Sequence, residues 1–207
     1  MKILLAACNA KYIHSNPAVY DLRAFASEYK EHILLGEYTI NQTKDEILKE
    51  IYRSGAEVVC FSCYIWNISF VRELIFDLKK ILPGTAFWVG GPEVSFDAEN
   101  FLKEMPQVTG VMVGEGEETF LELARYYIEK KGTLADIRGI AFRENGEIFH
   151  NGWREVMDLS RVPFAYEQTE DFATGSFIMK AAEAVLFPAA TAFLPLIKSF
   201  GSAIWSL

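Results

Sequence analysis

Two stretches decide the fold of this chain: Ala86-Phe87-Trp88-Val89-Gly90-Gly91-Pro92-Glu93 and, further along, Gly110-Val111-Met112-Val113-Gly114-Glu115-Gly116-Glu117. In each, an apolar run typical of a buried strand leads directly into a glycine-rich turn, and a helix-like segment follows. Ligands of doubly wound sheets bind where such turns meet, at the carboxyl ends of the strands. Because glycine lets a large flat ligand approach the backbone, we expect one ligand crevice at these two turns.

The rest of the chain alternates between apolar strands and amphipathic helices. The predicted strands are 2–8, 33–40, 57–63, 86–89 and 110–113, and the predicted helices are 18–29, 43–55, 68–82, 97–104 and 118–131. Continuously apolar strands separated by helices are typical of a parallel sheet covered on both faces. The sequence therefore predicts an α/β fold with a five-stranded, doubly wound, flavodoxin-like parallel sheet. A C-terminal β-hairpin of 137–142 and 147–150, joined at Asn145-Gly146, follows it.

Composition limits the partners of the chain. Its 207 residues carry a net charge of −8, and no run of basic residues occurs. This charge argues against nucleic acid or an anionic membrane as the main partner. Residues 167–207 are expected to form a loosely ordered apolar tail. The apolar stretch between Glu183 and Lys198 is 14 residues long, whereas a membrane span needs about 20, so a transmembrane segment is only the alternative interpretation.

The three cysteines, Cys8, Cys60 and Cys63, form no disulfide framework. An odd number without such spacing favours reduced thiols and a cytoplasmic location. Cys60 and Cys63 are spaced Cys-x-x-Cys, which can be a redox or metal motif. Cys60 lies within an apolar strand run and no second pair exists, so we expect a structural role.

The candidate site residues lie in four loops that follow predicted strands. They are Asn9, Tyr12 and His14, then Ser62 and Tyr64, then Gly90, Gly91, Pro92 and Glu93, and then Gly114, Glu115, Gly116 and Glu117. No Gly-x-Gly-x-x-Gly follows the first strand and no Walker loop occurs. Cys8-Asn9 and Ser62-Cys63 stand where a response regulator needs acidic residues.

The ordered set of loops resembles the N-terminal cobalamin-binding domain of cobalamin-dependent radical SAM proteins. The Gly-Gly-Pro turn after the fourth strand, the Gly-Glu-Gly-Glu turn after the fifth and the opening 10–17 carry the resemblance. Residues 157–164 are similar to the linker that leads into the radical SAM barrel of that family. The resemblance covers about residues 1–166 and implies that cobalamin is the cofactor bound by the four loops.

One departure concerns the barrel. Its Cys-x-x-x-Cys-x-x-Cys, which would hold a [4Fe–4S] cluster, is absent. We therefore expect a cobalamin-binding module of an enzyme of methyl transfer or related radical chemistry, truncated before the iron–sulfur domain and not catalytic alone. The cluster and S-adenosylmethionine belong to a full-length relative. The expected parts are a cobalamin domain over 1–135, a hairpin and linker towards a radical SAM domain over 136–166, and the tail. A frame-shifted product and a native stand-alone module stay open.

A second departure concerns cobalt. Many cobalamin domains carry Asp-x-His-x-x-Gly in the first loop, where the histidine replaces the ligand's own base on cobalt. Here His14 is kept, but Tyr12 stands for the aspartate and Pro17 for the glycine. The resemblance thus offers His14 as a possible lower cobalt ligand. The alternative is a loop histidine that only caps the first helix.

Structural interpretations remain for several candidates. Tyr64 and Trp66 can be packing aromatics, Glu93 a solvated loop acid, and Glu115 and Glu117 acids that favour a helix dipole. Two rival functions also stay open. One is a non-catalytic flavodoxin-like interaction domain, and the other is a flavin or nucleotide binder.

Overall fold

The computed structural model describes residues 1–10 and 16–163. The predicted tail over 167–207 lies outside the described residues. The strands are β1 (Ile3–Asn9), β2 (Ile33–Thr39), β3 (Val58–Ser62), β4 (Ala86–Gly90), β5 (Gly110–Met112), β6 (Ile140–Glu144) and β7 (Glu147–His150). The α-helices are α1 (Pro17–Phe25), α2 (Lys44–Ser54), α3 (Ile68–Ile81), α4 (Pro92–Ser95), α5 (Ala98–Glu104) and α6 (Glu117–Glu129).

The seven strands form one sheet in the order β2-β1-β3-β4-β5-β6-β7. The first five run parallel, and β6 and β7 continue the sheet antiparallel beside β5. The order 2-1-3-4-5 is that of flavodoxin-like folds. The predicted doubly wound α/β fold with a C-terminal hairpin is therefore confirmed.

Each face of the sheet packs against its own helices. Helices α2 to α5 cover one face, where Ile51, Leu74 and Leu102 are buried. Helices α1 and α6 cover the other, with Val19 and Phe120 buried. Alternate residues of each strand face opposite cores, which is why these strands read as continuous apolar runs. This arrangement leaves the carboxyl ends of β1, β3, β4 and β5 at one edge.

Local signals fix both ends of α2 and the turn of the β6–β7 hairpin as predicted. Thr43 and Glu46 form a reciprocal capping box at the start of α2, and Gly55 ends that helix in the left-handed conformation with φ 65°. Asn145 and Gly146 both have positive φ, 52° and 87°. Positive φ at both central residues is the requirement of a type I′ hairpin turn.

Two helices differ from the prediction. Residues 18–29 were expected to form one helix, but α1 ends at Phe25 and a 3₁₀ helix, Ser27–His32, follows. That tighter turn buries Tyr29, whose hydroxyl donates to Glu129 at 2.5 Å. The second difference is α4, a short helix directly after β4 where the sequence predicted only a helix at 97–104. Pro92 begins it at the first helical position, where its fixed φ suits the helix.

The Cys-x-x-Cys spacing does not bring its two thiols together. Cys60 packs into the core under α1 and α6, whereas Cys63 packs into the core under α2 to α5. Burial raises the pKa of both thiols, which makes the thiolate form unfavourable. The geometry supports the predicted structural role. Within residues 1–10 and 16–163, no helix combines the length and apolar character needed to cross a membrane.

A hydrogen bond with a buried donor links β4 to α6 and yields a stability prediction. The indole Nε1 of Trp88, which is completely buried, donates to the hydroxyl of Tyr127 at 2.9 Å. Tyr127→Phe would leave this donor without that acceptor, so we expect a loss of about 1–3 kcal/mol in the free energy of unfolding. Urea unfolding followed by circular dichroism measures it. The exposed Tyr52→Phe is the control and should change stability little. Equal effects of the two variants would contradict the prediction.

Candidate functional site

A cleft opens at the carboxyl edge of the sheet on the side of α1 and α6. It encloses about 450 Å³ of empty space, including its open mouth. Only about 30 Å³ of this space is clear enough for a water-sized molecule, so a larger ligand requires the lining side chains to move. Its lining combines apolar side chains with bare glycine backbone: Leu5, Ala18, Val19, Leu22, Cys60, Phe61, Ser62, Gly90, Gly91, Met112, Gly114 and Gly116. The structure thus brings both predicted glycine turns and Ser62 into one cleft.

The two adjacent glycines of the first turn have different roles. Gly91 has φ 111°, and a Cβ there would lie 2.5 Å from the carbonyl oxygen of Cys63. The fold itself therefore requires glycine at this position. A Cβ on Gly90 would meet Met112 at 3.4 Å, an ordinary contact inside the cleft. Gly90 is thus the position at which a bare backbone serves the cleft rather than the fold.

Pro92 and Glu93 lie beside the cleft and not in its lining. Both residues are exposed on the first turn of α4. Neither is among the residues that line the cleft. Their part in ligand binding stays a prediction.

Ser95 joins the two glycine turns, a role that the sequence analysis missed. Its buried hydroxyl donates to the carbonyl oxygen of Gly91 at 2.9 Å and accepts from the backbone N–H of Gly114 at 3.3 Å. One side chain on α4 therefore fixes the spacing of both turns. The sequence signal was the position of Ser95 one helical turn after Gly91.

The second turn is covered from two sides. Gly114 has φ 77°, and a Cβ there would meet the indole of Trp153 at 3.3 Å. A Cβ on Gly116, which precedes α6, would lie 3.0 Å from Cδ2 of Leu22 on α1. The turn is therefore enclosed between α1 and the segment that follows β7.

The two acids of the second turn face different surroundings. One carboxylate oxygen of Glu115 accepts from the backbone N–H of Met157 at 2.8 Å, so Glu115 holds the segment after β7. Glu117 is 8% exposed, and burial raises its carboxyl pKa. Burial, with a smaller contribution from the charge of Glu117, raises the pKa of Asp21 on α1 to about 7. Asp21 was missed because the two acids are far apart in sequence.

The first loop is anchored through Glu37 on β2. Its carboxylate accepts from Asn16 N at 2.7 Å, Asn9 Nδ2 at 3.3 Å and Tyr20 Oη at 2.6 Å. Asn16 in turn donates from Nδ2 to Ser62 Oγ at 3.1 Å and caps α1. Asn9 and Ser62 are thus joined through Asn16 and Glu37. Tyr12 and His14 lie outside the described residues, so their predicted roles stay predictions.

The third loop presents aromatic surface at the same edge. The rings of Tyr64 and Trp66 stack with centroids 4.5 Å apart and an interplanar angle of 5°. Asn67 supports this loop, since its Oδ1 accepts from Tyr64 N at 2.8 Å and its Nδ2 donates to Cys8 O at 2.9 Å. Ile65 and Trp66 remain exposed, at 78% and 51%. In the described part of the chain, no three His, Cys, Asp or Glu residues are grouped as metal ligands.

Comparison with known proteins identifies the family. Residues 3–124 match the family described as the B12 binding domain. The chain belongs to this family. Membership implies cobalamin, which is vitamin B12, as the ligand class of this domain.

Relatives by sequence are methyltransferases. An uncharacterized methyltransferase of Pyrococcus horikoshii is 40% identical over 86 residues, which are 41% of this chain and 18% of that protein. The 2-(S-pantetheinyl)-carbapenam-3-carboxylate methyltransferase of Streptantibioticus cattleyicolor is 29% identical over 91 residues, 44% of this chain and 13% of that protein. The alignments therefore span only a small part of each relative.

Solved structures share the fold of this B12-binding domain. The cobalamin-dependent S-adenosylmethionine radical enzyme OxsB, with aqua-cobalamin and S-adenosylmethionine bound, superposes with a TM-score of 0.62 at 18% identity, over 78% of this chain and 23% of OxsB. The radical S-adenosylmethionine methyltransferase TsrM from Kitasatospora setae superposes with a TM-score of 0.55 at 18% identity, over 72% of this chain and 29% of TsrM. The chain spans less than a third of either enzyme.

The adjacent glycines provide a matched pair for a test. Gly91→Ala should destabilise the protein by about 1–3 kcal/mol or more, because its backbone is left-handed and the new Cβ would meet Cys63. Gly90→Ala should cost much less, because its Cβ has room within the cleft. Guanidinium unfolding measures both. If Gly90→Ala proved the more destabilising variant, the assigned roles of the two glycines would be wrong.

The raised pKa of Asp21 predicts that the stability of the protein depends on pH. The folded state raises the pKa of Asp21 from 3.8 to about 7, so folding favours its protonated form. Stability should therefore fall as pH rises from about 4 to about 7. Asp21→Asn should make this decline shallower and the protein more stable than the parent near pH 8. Urea unfolding across this range checks it, and identical slopes in both proteins would refute the assignment.

Proposed function

We propose that this B12-binding domain binds cobalamin at the carboxyl edge of its sheet and serves as the cofactor module of a cobalamin-dependent radical SAM enzyme. The observation that carries the proposal is the cleft in which Gly90, Gly114 and Gly116 present bare backbone. Family membership supplies the ligand class.

The lining of the cleft has the chemistry to take the nucleotide tail of cobalamin, which would displace lining side chains because only about 30 Å³ is now free. Its walls are largely apolar, with Leu5, Val19 and Met112 on three elements and Ser62 as a hydroxyl within the lining. An aromatic base can be buried among such side chains, and a hydroxyl at a fixed position can orient it. The proposal places the tail in this cleft, away from cobalt.

The open edge suits the corrin ring. The stacked pair Tyr64 and Trp66, with the exposed Ile65, offers flat apolar surface beside the cleft. Asn9, Pro92 and Glu93 border the same edge and are proposed as contacts for the polar groups on the corrin periphery. When bound, cobalamin supplies a cobalt centre able to carry a methyl group, and the protein's share is binding and orientation.

His14 is proposed as the lower cobalt ligand on the resemblance of its loop alone. A ligating imidazole needs an acceptor for its other nitrogen, and Tyr12 is a weaker acceptor than the aspartate it replaces. The alternative is a cobalt with water or no ligand below. The anchoring of Asn16 through Glu37 fixes the end of this loop in either case.

The methyl transfer itself is proposed to require a radical SAM domain as partner. Methyltransferases are among the relatives, and the sequence of this chain has no Cys-x-x-x-Cys-x-x-Cys to hold a [4Fe–4S] cluster. The chain alone is therefore proposed to be inactive towards S-adenosylmethionine and to contribute the cofactor.

Retention of cobalamin tests the proposal directly. The full chain is mixed with hydroxocobalamin, desalted and examined by visible spectroscopy, with riboflavin phosphate in a parallel sample. We expect the corrin bands to stay with the protein. Gly90→Leu should abolish this retention because the new side chain would fill the cleft.

Gly84→Leu is the matched control. Gly84 is exposed in the turn before β4, with no atom within 4 Å of a Cβ built there. This variant should retain cobalamin as the parent does. Retention of flavin instead would favour the flavin-binding alternative. Retention of neither ligand would leave the interaction domain as the better interpretation.

A further inference from the structure

The segment after β7, residues 151–163, is called the connector here, and it is tied back onto the domain. The side-chain Nδ2 of Asn151 donates to the carbonyl oxygens of Leu134 and Ile137, each at 2.7 Å. The N–H of Gly139 donates to Gly152 O at 3.0 Å. The backbone is therefore fixed immediately before Trp153.

Arg154 fixes the backbone immediately after Trp153. Its guanidinium donates from Nε to Thr119 Oγ1 at 2.9 Å and pairs with Glu122 and Glu118 on α6. The Arg154 side chain is only 15% exposed. Gly139 leaves room for the Arg154 side chain to reach α6, because a Cβ on Gly139 would lie 2.6 Å from Thr119 Oγ1.

Two further contacts continue the attachment of the connector. Glu115 accepts from Met157 N at 2.8 Å, and Arg161 pairs with Glu118 at 2.6 Å. Arg161 is well exposed and its pair alone adds little. The enclosed Arg154, with its three partners, is therefore the main determinant of where Trp153 lies.

The Trp153 ring lies where the cleft meets the open edge. Its Cε3 and Cζ3 atoms are 3.3 and 3.4 Å from the position of a Cβ on Gly114, a residue that lines the cleft. The ring also contacts Phe96, with centroids 5.8 Å apart. Yet Trp153 is 48% exposed and Phe96 84% exposed.

We propose that Trp153 is a wall of the cobalamin site and contacts the bound cofactor, with Arg154 as its positioning residue. The proposal rests on the proposed function. An aromatic ring on a backbone that is fixed on both sides, beside a bare glycine turn, offers contact surface to a large flat ligand at a low cost in ordering. The apolar surface is continuous with the cleft through Gly114, so the cofactor in the cleft is its natural occupant.

Affinity measurements test the contact. Equilibrium dialysis of the full chain with hydroxocobalamin should give a Kd about tenfold higher for Trp153→Ala, and a smaller change for Trp153→Phe, which keeps a ring. Phe76→Ala removes a comparably exposed aromatic from α3, on the opposite face, and should leave the Kd unchanged. An unchanged Kd in Trp153→Ala overturns the proposal.

The role of Arg154 needs a readout that a general loss of stability would not produce. Arg154→Met should raise the Kd in the parent background but have no further effect in Trp153→Ala, because the two changes act through the same contact. Equal effects of Arg154→Met in both backgrounds would show that Arg154 does not act through Trp153.

Hydroxyl-radical footprinting of the unmutated protein gives an answer that does not depend on how the variants fold. Oxidation of Trp153 should fall at least about threefold when hydroxocobalamin is bound, relative to Tyr52, which is similarly exposed at 58%. One outcome separates the two proposals: cobalamin binds to the parent protein and Gly90→Leu abolishes that binding, but Trp153 stays unprotected. In that case the cleft assignment stands and only this inference fails. If the parent protein retains no cobalamin, both fail.

Discussion

The backbone of Gly91 lies against the carbonyl group of Cys63, and the ligand edge depends on this contact. A Cβ on Gly91 would lie 2.5 Å from that oxygen, while the N–H of Cys63 donates to Gly90 O at 2.7 Å. The parallel pairing of β3 and β4 extends to Ser62 and Gly90, the last residue of each strand, and this hydrogen bond continues it by one residue. Ser95 then links this turn to the next one, because its hydroxyl donates to Gly91 O and accepts from the N–H of Gly114. The ends of β3, β4 and β5 are thereby linked to one another at the ligand edge.

Much of the fold follows from local sequence. The strands could be predicted to within a few residues because their apolar runs are buried on both faces, and α2 because Thr43, Glu46 and Gly55 mark its ends. The first helix was predicted too long because its apolar spacing continues to Tyr29. The tertiary bond from Tyr29 to Glu129 on α6 favours a 3₁₀ turn there instead. That bond joins residues a hundred positions apart, so no local pattern contains it.

The candidate site also combines features that the sequence could predict with features that it could not. Glycines at strand ends could be predicted to line a cleft, because a glycine leaves its backbone uncovered whatever its neighbours in the fold are. Glu37, Asn67 and Asp21 could not be found, because each acts through groups on other elements. Glu115 has a role that its position did not indicate, because its carboxylate accepts from the backbone N–H of Met157. Its predicted ligand contact stays a prediction.

The connector has a consequence for how the domain is made. Protein chains emerge from the ribosome amino end first. Strand β5 and the turn at Gly114 emerge well before Trp153 and Arg161, which reach back to Gly114 and Glu118. During synthesis, the residues that cover this side of the edge are therefore not available until the segment after β7 has emerged. The edge is built from parts of the chain that synthesis delivers at different times.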